Sequence, residues 1–311
     1  ITNSKSSLIS KIYWLVKDVK RYGTLPFAGV ARAAFVAIQI LRSLIDKKII
    51  SKEEFDKFLN SINTVSKKLS FDIHNLSKKQ FLDIYGHLRP GTYDIESLRY
   101  DEAYETYFGK VRKKNTTNVK HFSFSKMQKF RIESLLKKYK LKTNFKELIL
   151  FIKEAIEGRE YVKFVFTRHL SQILKYVEEL GENYQLNKSD LSYLDINKIL
   201  SLYSLLSEEN VKDIFCENIE KNKKLYQLTK AVKLPEVIIN EDDIYGFFLK
   251  HNEANFITLK SIKSKVFFEN NLIKNNIMSK IVCIKSADPG YDYIFSKNIG
   301  GLITCYGGAN S

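Results

Sequence analysis

Cysteine, proline, methionine and tryptophan are scarce in this sequence: three, four, two and one among 311 residues. Cys216, Cys283 and Cys305 stand far apart with no CxxC pair, which excludes a thiolate zinc site and an even disulfide framework. A reducing compartment suits such a set, and the cytoplasm is expected. With so few prolines, and with 44% hydrophobic and 28% charged residues, no long segment reads as disordered, so a soluble globular chain is expected. An unbroken apolar run is missing too. The longest candidate, LPFAGVARAAFVAIQILRSLI, is interrupted by Arg32, Gln39 and Arg42, so it is expected as a buried helix rather than a membrane span. No signal-peptide pattern stands ahead of it. His74, His121, His169 and His251 share no spacing that suggests a metal and are expected to be structural.

Acidic residues are nearly absent from one segment. Between Lys110 and Lys146 thirteen Lys or Arg residues face the single acid Glu133, so this stretch carries +12 of the net +16. Phe122, Phe124, Phe130 and Tyr139 are interleaved there, the composition of a surface that neutralises phosphates and stacks bases. The same phenylalanines also suit burial on a helix, and Lys outnumbers Arg 42 to 9, as on a solvated face. Nucleic-acid binding through residues 110–146 is therefore the lesser reading.

Two textures divide what remains. To about residue 230 the pattern is helical: Phe27, Val30, Ala34, Ile38, Leu41 and Ile45 recur at three and four. Ser51 with Glu54, and Asn144 with Glu147, have capping-box spacing. The second box opens a stripe through Leu148, Ile152 and Ile156 that predicts one long helix past Gly158 to about Glu182. Further helices are predicted over 190–206 and 208–230. From Leu234 onward EVIIN, ANFITLKSI, SKVFF, KIVCIKS and GLITCY are short β-branched and aromatic runs, read as strands. The length suits two domains, 1–230 and 231–311.

Two loops hold residues with chemistry. In YGHLRPGTYDIESLRYDE, residues 85–102, Gly86 and Pro90-Gly91 force a turn that contains His87, Arg89, Asp94, Arg99 and Asp101. An arginine there can fork onto a carboxylate or phosphate, with His87 or Asp94 moving a proton. Alternatively Arg89 and Asp94 pair simply to lock the loop. In the closing KSADPGYDYIFSKNIGGLITCYGGANS, Asp288-Pro289-Gly290 makes a turn and Asp292 is placed to cap a short helix through YIF. Gly307 and Gly308 either form an anion-binding nest or merely end an edge strand.

GGANS resembles the active-site signature of the phosphoenolpyruvate-utilising phosphotransferases, in which a small domain carries this glycine pair shortly before a phosphorylated histidine. Gly307, Gly308, Ala309, Asn310 and Ser311 match in order, and the histidine is expected as the next residue. RYGTLPFAGVARAAFVAIQILRSLI and YGHLRPGTYDIESLRYDE extend the resemblance to a group similar to glutamine kinase of capsule phosphoramidate synthesis and, more distantly, to rifampicin phosphotransferase. Ile1 in place of Met, and an end in mid-motif, make a fragment the expectation.

The resemblance implies an α+β chain: a large all-helical central domain, 1–230, that binds the acceptor, followed by an incomplete β/α swivelling phosphohistidine domain, 231–311. It implies that an ATP-grasp domain of the same polypeptide uses ATP and Mg2+ to phosphorylate the histidine, which then delivers the group to a small-molecule acceptor. Thr304, Gly307, Gly308, Asn310 and Ser311 would surround the phosphoryl group. His87, Arg89 and Asp94 would line the acceptor site, with Arg159 and Arg168 as further candidates that neighbours such as Glu160 can instead engage. This chain by itself is expected to bind no cofactor or metal, to turn over no substrate and to have no membrane partner. Glutamine is the suggested acceptor, pyruvate in a dikinase-like enzyme the alternative, and a non-catalytic binding module a third reading.

Overall fold

The computed structural model describes residues 1–109, 122–204, 210–235, 237–247, 254, 256, 258, 260–269, 272 and 275–306. Helices dominate: α1 (Leu8–Asp18), a π-helical turn (Val19–Thr24), α2 (Leu25–Asp46), α3 (Lys52–Ser61), α4 (Val65–Asn75), α5 (Lys78–Tyr85), α6 (Tyr104–Phe108) and α7 (Lys126–Lys138). They continue with α8 (Phe145–Asn183), α9 (Lys188–Leu191), α10 (Ile196–Ser201) and α11 (Val211–Ala231). Strands β1 (Val266–Phe268), β2 (Ile281–Ser286) and β3 (Gly301–Tyr306) form a parallel sheet in the order β1-β2-β3, with α12 (Tyr293–Ser296) in the crossover before β3. The coarse class is α+β, mostly helical, with a small sheet.

Both capping boxes form. Ser51 Oγ accepts from Glu54 N at 3.1 Å while Ser51 N donates to Glu54 Oε2 at 2.8 Å, which satisfies donors that the first turn of α3 leaves without helical partners. Asn144 and Glu147 do the same for α8, which runs unbroken past Gly158. The stretch predicted over 190–206 is α9, α10 and a 3-10 turn at Leu202–Ser204 rather than one helix.

α8 is the spine. Its first half packs with α2, α3 and α7 in one apolar cluster around Leu41, Phe58, Ile132 and Ile152, and its second half packs with α1 and α9–α11 around Ile12, Ile173 and Phe215. Gly23 abuts Phe166 and Val30 abuts Gly158, so α2 runs antiparallel to α8. The predicted stripe does turn inward at Ala34, Ile38 and Leu41, but the helix is not buried as a whole: Leu25, Phe35 and Val36 are exposed. One flank alone meets α8.

Three of the five predicted strands form. The described parts of EVIIN and ANFITLKSI are not strands, and Val237, Ile238 and Ile239 are exposed. A β-branched run needs a paired neighbour as well as propensity, and none is in place among the described residues. The texture changes near residue 230 as expected, yet the hydrophobic core runs across that point. Val282, Ile284, Tyr293 and Ile294 share one cluster with Leu69, Phe81, Tyr100 and Tyr107.

Candidate functional site

The loop after α5 is closed by its own backbone: Tyr100 N donates to Leu88 O at 2.8 Å and Asp101 N to Gly86 O at 3.1 Å. Gly91 takes a positive φ of 65°, a conformation that favours glycine, and so allows the reversal after Pro90. Asp94 then organises the tip, with Oδ1 accepting from Glu96 N at 2.9 Å and Oδ2 from Ser97 Oγ at 2.8 Å.

Arg89 lies inside this loop and is 3% exposed. Its Nη1 donates to the carbonyls of Asp94, at 3.2 Å, and Ser97, at 3.1 Å. The expected pairing of Arg89 with Asp94 is thus to the backbone oxygen rather than the carboxylate. Arg99 forks onto Asp101 through Nε and Nη2 at 2.9 and 2.5 Å. His87, also buried, packs against Phe164 with the rings tilted at 59° and their centroids 4.9 Å apart. Burial, with the Arg168 and Arg99 charges, lowers its pKa to about 3, so its imidazole is neutral at pH 7.

A second loop meets the first. Asp288 Oδ2 accepts from Gly91 N at 3.0 Å, its Oδ1 accepts from Gly290 N at 2.9 Å, and Tyr100 Oη donates to Gly290 O at 2.8 Å. Gly290 sits so close to the first loop that a Cβ there would lie 1.6 Å from Arg89 O. α12 forms as predicted, but the Asp292 side chain makes no cap bond to it. Instead Asp292 is buried. Desolvation raises its pKa to about 7, with Glu160 and Asp288 adding to the rise and Ser66 and Lys163 opposing it.

α8 backs both loops. His87 senses Arg168, Arg89 senses Glu178, and Asp292 senses Glu160 and Lys163. Thr167 and Ser171 on α8 are buried, and Thr167 Oγ1 donates to Phe164 O of the same helix at 2.9 Å. Four buried polar atoms among the described residues make no hydrogen bond: His87 Nε2, Arg89 Nε, Asp292 Oδ2 and Ser171 Oγ. Each is a side-chain donor or acceptor without a protein partner, the kind of group that a polar ligand or water satisfies.

The other candidates are placed differently. Arg168, exposed, donates through Nη2 to Ile84 O at 2.8 Å and so satisfies a terminal carbonyl of α5. Arg159 pairs with Glu160 at 3.5 Å, as the sequence suggested, and lies 5.7 Å over the ring of Phe35 on α2. Thr304 is opposite Ile284 in the parallel register, near the carboxyl end of β3. Gly307, Gly308, Asn310 and Ser311 lie outside the described residues, as do His121 and His251. In the basic segment residues 110–121 are likewise outside. Phe122 and Phe124 belong to the core around Phe58, Phe130 and Tyr139 are exposed, and Arg131 caps α2 through the carbonyls of Lys47 and Lys48.

Sequence reading missed Tyr100 and the clamping role of Asp288. The only local signal was the Asp-Pro-Gly turn itself, which says nothing of a partner far along the chain. No protein-family model matches the sequence, and no curated protein matches it.

Proposed function

We propose that this chain is the acceptor-binding part of an ATP-dependent phosphotransferase together with the part of its swivelling domain that leads up to the phosphorylated histidine, which would follow Ser311. The observation that carries the reading is convergence. Two sequence blocks that bear the resemblance, residues 85–102 and 287–306, meet through Asp288 to Gly91, Tyr100 to Gly290, and Gly290 against Arg89. They meet where β2 ends at Ser286 and β3 at Tyr306, the carboxyl edge of a parallel sheet, which is where open α/β sheets bind ligands. In the sequence GGANS follows β3 directly.

In this reading the chemistry is positioning and charge neutralisation. The lone pair of the histidine nitrogen would form a bond to the β-phosphorus of ATP as the P–O bond to AMP breaks, and water would then cleave the γ-phosphate from the resulting pyrophosphohistidine as inorganic phosphate, which leaves phosphohistidine. In the last step the acceptor's nucleophile bonds to phosphorus, the N–P bond breaks and the imidazole is regenerated. Thr304, Asn310 and Ser311 hydrogen-bond the phosphoryl oxygens, and the glycine amides add donors. The loop of His87, Arg89 and Asp94 forms the wall of the acceptor site, with Arg89 as its buried cation. Among the described residues no three His, Cys, Asp or Glu side chains are grouped to hold a metal ion, and the reading assigns ATP and Mg2+ to an ATP-grasp domain.

The test uses the complete polypeptide with ATP labelled at the β-phosphate and Mg2+. The expected result is label on a histidine, labile to acid and stable to base, with release of AMP and transfer to glutamine. Transfer to pyruvate instead moves the protein to the dikinase-like reading. No labelled histidine, or a residue other than His after Ser311, overturns the proposal.

A further inference from the structure

Residues 8–46 leave an apolar face that the rest of the described residues do not cover. The most apolar 18-residue window within Leu8–Asp46 has a mean hydropathy of 1.6, and 22% of it is buried. One flank is occupied: Gly23 and Phe27 pack on Phe166, and Val30 on Gly158. That flank is packed on α8 and is closed to lipid. On the open side Trp14, Tyr22, Leu25, Phe35 and Val36 are 49, 67, 70, 57 and 53% exposed. The π-helical turn holds Gly23 inward against α8 while Tyr22 and Leu25 on either side of it are exposed.

The rim of this face is basic. A groove of about 800 Å³ is lined by Trp14, Tyr22 and Leu25 together with Lys17, Lys20 and Arg21. Lys17 lies 5.4 Å over the ring of Tyr13, and Arg21 5.4 Å over that of Tyr22. Up to residue 46 the chain has Lys5, Lys11, Lys17, Lys20, Arg21, Arg32 and Arg42 against Asp18 and Asp46. Exposed apolar patches of this kind mark interaction sites. Charge chooses among the occupants. A second copy docking about a two-fold axis would bring each basic rim against the same patch of its partner, like charge to like. An anionic surface meets it with opposite charge.

We infer that α1, the π-helical turn and α2 lie on an anionic phospholipid membrane surface. Trp14 and Tyr22 sit at headgroup level, where amphipathic rings are favoured. Leu25, Phe35 and Val36 enter the acyl boundary, and Lys17, Lys20 and Arg21 meet lipid phosphates. A surface-bound protein replaces the expectation of a chain with no membrane partner, and this inference stands independently of the phosphotransfer proposal.

Trp14 is the single tryptophan, so its emission reports this face alone. The 311-residue chain is mixed with phosphatidylcholine vesicles, with and without phosphatidylglycerol, and floated on a density gradient. The expected result is flotation with the anionic vesicles only, weaker as salt rises, together with a blue shift of Trp14 emission. Leu25→Asp with Phe35→Asp alters two exposed positions, so the fold is kept, as circular dichroism will verify. This double variant is expected to lose the shift and to bind about tenfold more weakly or less. Flotation unchanged in the variant means adsorption by charge elsewhere, such as residues 110–146, and overturns the inference. So does absence of flotation, a dimer in light scattering that the double variant splits, or a Trp14 shift with polyglutamate and none with vesicles.

Discussion

Gly290 shows how much one residue can decide. It packs on the Arg89 carbonyl so closely that any side chain must push the two loops apart, since the opposing atom is backbone and cannot rotate away. Gly290→Ala is therefore expected to cost about 4 kcal/mol or more, read as a lowered urea midpoint. Asp292 makes a prediction in pH. Its folded pKa is raised to about 7, so the folded protein keeps a proton that the unfolded chain releases near 3.8. Its contribution is full below that lower value and is lost as pH rises through 7. His87 has the opposite sign: its folded pKa of about 3 lies below the ordinary 6.5, so its contribution is present above 6.5 and is lost as pH falls toward 3. Asp292→Asn removes only the first effect. Between about pH 5 and about pH 8 the variant should gain on the wild type by on the order of 2–3 kcal/mol. An unchanged difference in urea midpoint at the two pH values would show that Asp292 is ionised throughout.

Elements formed where their signals were local. The capping boxes at Ser51 and Asn144 were legible because each needs only four consecutive residues, and α8 because its apolar stripe repeats over many turns. Ser51→Ala is expected to lower stability by about 1 kcal/mol through the amide of Glu54 it leaves unbonded, with little change in circular dichroism at room temperature. Strands were less legible. KIVCIKS and GLITCY pair with each other, whereas the described part of EVIIN has similar propensity and no paired strand among the described residues. The cap expected of Asp292 failed for a related reason: burial beside Ser66 and α8 claimed the carboxyl that α12 left uncapped.

At the scale of the molecule, the small sheet and the helices near it stand on one core. Leu69, Phe81, Tyr100 and Tyr107 are covered in part by Val282, Ile284, Tyr293 and Ile294. A chain cut after residue 230 should expose that apolar surface, bind a hydrophobic dye and melt at lower temperature than the whole. Equal melting temperatures would show that the helical part is independent. By itself the sequence determined the helices, their caps, the breaks at Gly86 and Pro90, and which residues had chemistry to offer. Those features depend on hydrogen bonds and periodicities within reach of one short segment. Only the tertiary structure decided that Arg89 Nη1 is bound to the carbonyls of Asp94 and Ser97, that Asp288 clamps Gly91, and that α2 keeps one flank bare. Partners nearly two hundred positions apart are chosen by shape and burial in the assembled core, which no local pattern encodes.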